Sequence, residues 1–167
     1  MVTTWTRFVR HLVSPPWRVR TAFPTRTMRA IEQAISQSEA THTGQIRFAV
    51  EAALDIGPLV HRQSARERAI DVFSWLRVWD TAHNNGVLVY LLLADRDVEI
   101  VADRGIARHV APEEWERICR DMEAAFRVGR FEDGVLAGIR AVSAHLVRHH
   151  PGQGERPNEL PDQPVVL

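Results

Sequence analysis

The longest apolar run in the chain is Val87-Leu88-Val89-Tyr90-Leu91-Leu92-Leu93, closed by Ala94. It falls far short of the ~18–20 consecutive apolar residues that a membrane-crossing helix needs. A strand with no polar face must be covered on both sides, which places this one at the centre of a sheet packed between helices. His83-Asn84-Asn85-Gly86 stops the preceding segment and turns the chain into this strand.

The segments on either side fit that frame. Ile46, Phe48, Val50 and Ala52 alternate with Arg47, Ala49, Glu51 and Ala53, the pattern of a strand with one wetter face. Asp55-Ile56-Gly57-Pro58 breaks it. Ser64 with Glu67 forms a capping box that opens a helix whose buried stripe is Ala69, Ile70, Phe73 and Leu76. After the apolar strand, Asp95-Arg96 reverses the chain, and Val98, Ile100 and Ala102 alternate with Asp97, Glu99 and Asp103 as an edge strand. Met28, Ile31, Ile35 and Ser38 mark a helix before the first strand. Two more helices follow the third, one over Trp115 to Phe126 and one over Phe131 to Leu146. The fold class is therefore α/β: a small mixed β-sheet sandwiched between α-helices. Its first two strands are parallel through a right-handed helical crossover, and the third is antiparallel. A tight hairpin at Asp95-Arg96 pairs Leu93 with Val98, Leu88 with Asp103 and Gly86 with Gly105.

The 167 residues divide into an arm (1–24), a domain (25–150) and a tail (151–167) rich in proline. A composition of 45% hydrophobic and 25% charged residues suits one globular domain. The net charge of zero hides an asymmetry: all 21 basic side chains are arginine, and the first 31 residues hold six of them and no acid. In the arm, Trp5, Phe8, Val9 and Leu12 share one face of a short helix, with Arg7, Arg10 and His11 off it, and Pro15-Pro16 ends it. Such an arm either lies as a basic amphipathic foot on an anionic membrane or partner, or packs back on the domain. Contact with a membrane or partner is assigned to Trp5, Arg7, Phe8, Arg10 and Leu12. The tail has no periodicity and is expected to be extended or disordered. Its end, Pro164-Val165-Val166-Leu167, suits capture by a carboxylate-binding groove of a partner.

The hairpin brings one pole of the sheet together: Asp80, His83, Asn84 and Asn85 beside Asp103 and Arg104, with Thr43 and Gly44 nearby. These are the candidate ligand-binding residues. Turn chemistry alone also accounts for Asn-Asn-Gly. Two acids and two amides are fewer than the ~6–8 oxygens calcium takes, unless waters or backbone carbonyls complete the set. The other pole gathers Asp55, Asp95, Arg96 and Asp97, and it lies beyond the carboxyl ends of the parallel strands, where open α/β sheets usually bind ligands.

Several of these segments, in this order and spacing, resemble the TPM domain family over residues 27–148. They are Thr43-Gly44-Gln45-Ile46, Val78-Trp79, Asn84-Asn85-Gly86-Val87-Leu88, Val98-Glu99-Ile100, Arg104-Gly105-Ile106 and the Phe126 to Gly138 region. The resemblance implies an α/β sandwich, with acid phosphatase activity or calcium binding in some members. Many members carry a signal sequence and a membrane segment and occur beside LemA-type membrane proteins; this chain is similar to a soluble, bacterial subgroup. The family tends to show acids where this chain has Gln45, Ala107 and the Val110-Ala111-Pro112 stretch, so three carboxylate positions are absent.

Other chemistry is thin. His145 and His149 lie four apart but lack the glutamate of a zinc-protease helix, and Leu146 stands there. Cys119 sits on an apolar stripe, as a small core residue does. No phosphate-binding glycine loop or nucleophile elbow is present, and the net acidic body argues against nucleic acid. The leading expectation is a non-catalytic TPM-type interaction module with no cofactor assigned, calcium and magnesium being the candidates. It is placed in the cytoplasm and peripherally on the inner membrane, against an anionic surface and a LemA-type or other TPM-domain membrane protein. The alternative is an acid phosphatase-like hydrolase dependent on calcium or magnesium, with Asp80 or Asp103 as ligand and Arg104 holding the phosphoryl group.

Overall fold

The computed structural model describes residues 4–152 and 157–167. Two short helices, α1 (Thr4–Leu12) and α2 (Trp17–Ala22), precede the long α3 (Thr25–Glu39) and β1 (Gln45–Glu51). The crossover to β2 (Gly86–Leu92) carries α4 (Ile56–Val60) and α5 (Ala65–Trp75). Next come β3 (Asp97–Ala102), the single turn α6 (Arg104–Ala107), α7 (Pro112–Arg127), α8 (Phe131–His149) and β4 (Val165–Val166). The sheet order is β3-β2-β1-β4, with β1 parallel to β2 and β3 antiparallel.

Two apolar layers hold the sandwich. On one face Ile46, Phe48, Val50, Val89 and Leu91 pack under α3, α7 and α8, joined by Val19 from α2 and by Phe23 just after it. On the other, Ala49, Leu88, Tyr90 and Leu92 pack under α5 with Ala69 and Val72. All seven residues of β2 are buried, as its apolar run requires. The wetter face expected of β1 is also buried. Glu51 accepts a bidentate pair from Arg68 (2.9 and 2.7 Å) and the Tyr90 hydroxyl (2.6 Å), while Arg47 donates to the Pro161 carbonyl. The Glu51 charge is tolerated there because Arg68 and Tyr90 meet it, whereas Arg47 has only the neutral Pro161 carbonyl and its buried Nε lacks a partner. Burial and the adjacent Glu51 push the Tyr90 phenol above its ordinary range.

The hairpin differs in register from expectation. Leu91 pairs with Val98 and Leu92 with Asp97, two residues short of the expected partners. Four residues, Leu93 to Arg96, make the reversal rather than two. Asp95 N–H donates to Leu92 O and Arg96 N–H to Leu93 O, both at 3.2 Å, with Arg96 left-handed at φ 53°. An even shift keeps every side chain on its face, so the core is unaffected. It sets Asp103 rather than Gly105 beside Gly86, through Asp103 N–H to Gly86 O at 2.9 Å.

The described residues of the arm and the tail pack on the domain. In α1 the polar side turns inward. Arg7 and Arg10 donate to the two carboxylate oxygens of Asp95 (2.8 and 2.5 Å), and His11 Nε2 lies 3.1 Å from the same carboxylate. Arg7 also donates to Gln63 O, and Leu54 N–H donates to His11 Nδ1, both at 2.9 Å for their heavy atoms. Phe8 packs against the α5-side layer, and the Trp5 side chain lies outside the described residues. The arm thus packs on the body with its arginines engaged there, and Leu12 is turned out, 66% exposed.

The described part of the tail, 157–167, ends as a strand that its sequence did not reveal. Val165 and Val166 pair with Ala49 and Val50, and Leu167 N–H donates to Val50 O at 3.0 Å. The end read as a segment for a partner's groove is instead a strand of the chain's own sheet, and Leu160 is buried with the α5-side layer.

Candidate functional site

At the Asn84–Asn85 pole, each predicted residue has a definite place. Asn84 is left-handed (φ 51°), a conformation asparagine tolerates. Its carbonyl accepts Gly105 N–H at 2.7 Å and its Oδ1 accepts Arg104 Nη2 at 3.2 Å. Asp103 caps α6, its Oδ1 accepting Arg104 N–H at 2.7 Å. The folded chain therefore brings Asn84, Asp103 and Arg104 together. Asn85 is turned inward instead: its N–H donates to Thr81 Oγ1 (3.1 Å) and its Nδ2 to Thr43 Oγ1 (2.9 Å), tying the start of β2 to the start of β1. Asp80 is an exposed partner of Arg77 at 2.6 Å and does not join the group. His83 is exposed and lines a neighbouring cavity.

Few side-chain oxygens at this pole are free to receive calcium. Two buried acceptors, Asn85 Oδ1 and Asp103 Oδ2, lack a partner, against the ~6–8 oxygens that calcium requires. Among the described residues no group of three or more His, Cys, Asp or Glu side chains is arranged to hold a metal ion. Nor do the late histidines converge: His145 faces Glu114 at 3.9 Å, while His149 stacks on His109 with ring centres 5.1 Å apart. Burial pushes the Cys119 thiol up to about 12, which keeps it protonated and unreactive near neutral pH.

Three residues that the sequence reading missed line the adjoining cavity of about 850 Å³: Glu39, His42 and Asp162. Glu39, the last residue of α3, accepts Ile46 N–H at 2.7 Å and the Gln45 side-chain amide at 3.2 Å. Burial, with Asp162 beside it, pushes its carboxyl up to about 8. His42 is 2% exposed, its Nδ1 is 3.0 Å from Gly44 O, and burial pushes it down to about 4, so it is neutral near pH 7. Gln45, standing where the family tends to show an acid, accepts tail N–H groups of Glu159 (3.0 Å) and Leu160 (2.8 Å) on its Oε1. The tail thus lies across this pole. No periodicity marks Glu39, His42 or Asp162 in the sequence; the return of the tail assembles them.

These two groups pull stability in opposite directions with pH. The folded chain keeps a proton on Glu39 that the unfolded chain loses above about 4.5, so stability falls as pH rises from 4.5 to about 8. His42 takes a proton in the unfolded chain below about 6.5 but not in the folded one until about 4, so its contribution is lost as pH falls across that window. Thermal unfolding of Glu39→Gln should gain on the native chain between about pH 5 and about pH 9, because only the carboxyl can ionise. A difference that stays constant with pH would contradict a raised Glu39.

The parallel pair β1–β2 with one antiparallel edge, three long helices on one face and a crossover helix on the other, define a small mixed α/β sandwich whose loops gather at the two strand poles. The family model for the TPM domain matches residues 21–145, and the chain belongs to that family. The fold is similar to the NMR structure of BA42 protein from the psychrophilic bacterium Bizionia argentinensis. That match has a TM-score of 0.72 and 27% identity over 86% of this chain and 94% of that one. It is also similar in fold to the N-terminal domain of a P. gingivalis protein, with a TM-score of 0.61 and 18% identity over 84% of this chain and 95% of that one. No curated protein matches the chain.

Proposed function

We propose that the protein is a non-catalytic TPM-type interaction module that docks on the anionic cytoplasmic face of a membrane, beside a LemA-type or other TPM-domain membrane protein. The supporting observation is the outer side of the arm. Leu12 (66% exposed), Val13 (62%) and Trp17 (63%) surround the Pro15-Pro16 corner, with Arg18 and Arg20 on the helix that follows. An apolar cluster beside arginines suits an interface of lipid headgroups, where each buried side chain contributes about 1.5–3 kcal/mol and each basic residue about 1 kcal/mol. The contact set is thereby redrawn: Leu12 stays, Val13 and Trp17 join it, and Arg7, Phe8 and Arg10 serve the arm's own docking. Among the described residues no helix is long and apolar enough to cross a membrane. The hydrolase reading draws no support from Asp80 and Asp103, one paired with Arg77 and the other capping α6.

Co-sedimentation with vesicles of phosphatidylcholine and phosphatidylglycerol (about 3:1) tests this reading. The native chain should pellet with them, and Leu12→Asp with Val13→Asp should reduce partitioning about tenfold or more. Equal partitioning of both chains, or none by either, overturns the membrane assignment.

A further inference from the structure

Beyond the C-terminal end of β2, at the pole opposite Asn84 and Asn85, a cavity of about 590 Å³ is lined by Arg18, Arg26, Arg96 and Arg130. Arg26, Arg96 and Arg130 have no ion-pair or hydrogen-bond partner for their side chains among the described residues, and Arg18 donates only to the neutral Ser14 hydroxyl at 3.0 Å. Two carboxylates share the lining. Glu132 is engaged by the Thr27 hydroxyl at 2.5 Å, which leaves Asp133 as the free one. Four arginines against two acids leave this lining with a net charge of +2, and guanidinium forks match phosphate oxygens in pairs.

The backbone adds to the same field. Both α3 and α8 begin at this cavity, and neither Pro24 nor Arg130 provides a side-chain cap. The positive dipole ends of both helices therefore lie at this cavity; the first turn of α3 holds no acid, and that of α8 holds Glu132 and Asp133. Leu93, just past β2, also lines the cavity, which puts it beyond the carboxyl ends of the parallel strands, where open α/β sheets receive ligands. Trp17 and Phe131, both in the lining, offer apolar surface for the organic part of an ester.

We propose that this cavity binds a phosphoryl group, carried on a soluble phosphate ester or on an anionic lipid headgroup. It stands apart from the Asn84 pole and shares only Trp17 and Arg18 with the membrane contact proposed above. Arg18 and Trp17 come from the arm, so an occupied cavity also steadies the arm against the domain.

Calorimetric titration of the full chain with pyrophosphate supplies the soluble arm of the test, and the vesicles described above supply the lipid arm. Arg96→Gln with Arg130→Gln removes two exposed guanidiniums that hold no other residue, and Arg120→Gln, outside the cavity, is the control. Pyrophosphate binding that weakens about tenfold or more in the double variant, and not in the control, supports a soluble phosphate ligand. A loss confined to vesicle binding supports the headgroup. Binding of both probes that ignores the double variant, or falls equally in the control, overturns the proposal. Should the chain leave vesicles unbound while pyrophosphate binding still depends on Arg96 and Arg130, the membrane reading alone fails.

Discussion

Gly86→Ala is expected to destabilise the fold by about 3 kcal/mol or more, lowering the melting temperature by about 6–12 °C. A Cβ built on Gly86 would lie 2.0 Å from the Val78 carbonyl oxygen, and that neighbour is backbone in the turn leading into β2. It cannot move aside as a side-chain tip can. Gly86 also pairs with Gln45 and accepts Asp103 N–H at 2.9 Å, so displacing it disturbs the junction of three strands. Gly57→Ala is the matching control. Its Cβ meets nothing within 4 Å, and it sits in the short helix α4, so the change should stay within about 1 kcal/mol of native. Thermal unfolding checks both; a Gly86→Ala chain that melts with the native one would show that the β2 entrance is looser than described.

Asp95→Asn is expected to free the arm. Asp95 receives Arg7, Arg10 and His11, and these partners overcome the effect of burial and hold its carboxyl down to about 2. Removing the charge leaves two guanidiniums without their carboxylate, at a cost of about 2 kcal/mol once partial exposure of the arginines is allowed for. Limited trypsin digestion should then cut at Arg7 and Arg10 far faster than in the native chain, while the domain from α3 onward resists. The native chain should follow with acid. A carboxyl whose folded pKa is depressed contributes stability above its ordinary value near 3.8, and that stability is lost as pH falls through about 2. Unchanged digestion in Asp95→Asn would mean that Phe8 and the α2 residues hold the arm by themselves.

Much of the architecture was legible from short-range pattern. The unbroken apolar run Val87 to Leu93 marked the buried strand, the alternation of Ile46, Phe48 and Val50 marked its parallel neighbour, and Ser64 with Glu67 marked the helix between them. In the folded chain Ser64 N–H donates to Glu67 Oε2 at 2.8 Å and Glu67 N–H to Ser64 Oγ at 3.1 Å, the reciprocal pair the spacing implied. The meeting of Asn84 with Asp103 and Arg104 was also readable, because one hairpin links them. The register was not, since a four-residue reversal with Arg96 left-handed and a two-residue turn share the same polar residues.

What periodicity could not carry was the choice of partner across a long stretch of chain. The arm's hydrophobic stripe pointed to one docking face, yet Asp95 draws Arg7, Arg10 and His11 inward, so that Phe8 of the stripe packs on the domain while Leu12 faces out. Arg47 and Glu51 read as a wet strand face and are buried, because Pro161 and Arg68 reach them from distant segments. Glu39, His42 and Asp162 share a cavity only because the tail returns to β1. The amino-acid order alone determined which segments are helix or strand and which faces are apolar, since those depend on neighbours a few residues apart. Tertiary closure decided which charges pair, which edge receives the tail and where the arginines gather, since those depend on contacts between remote residues that no local spacing encodes.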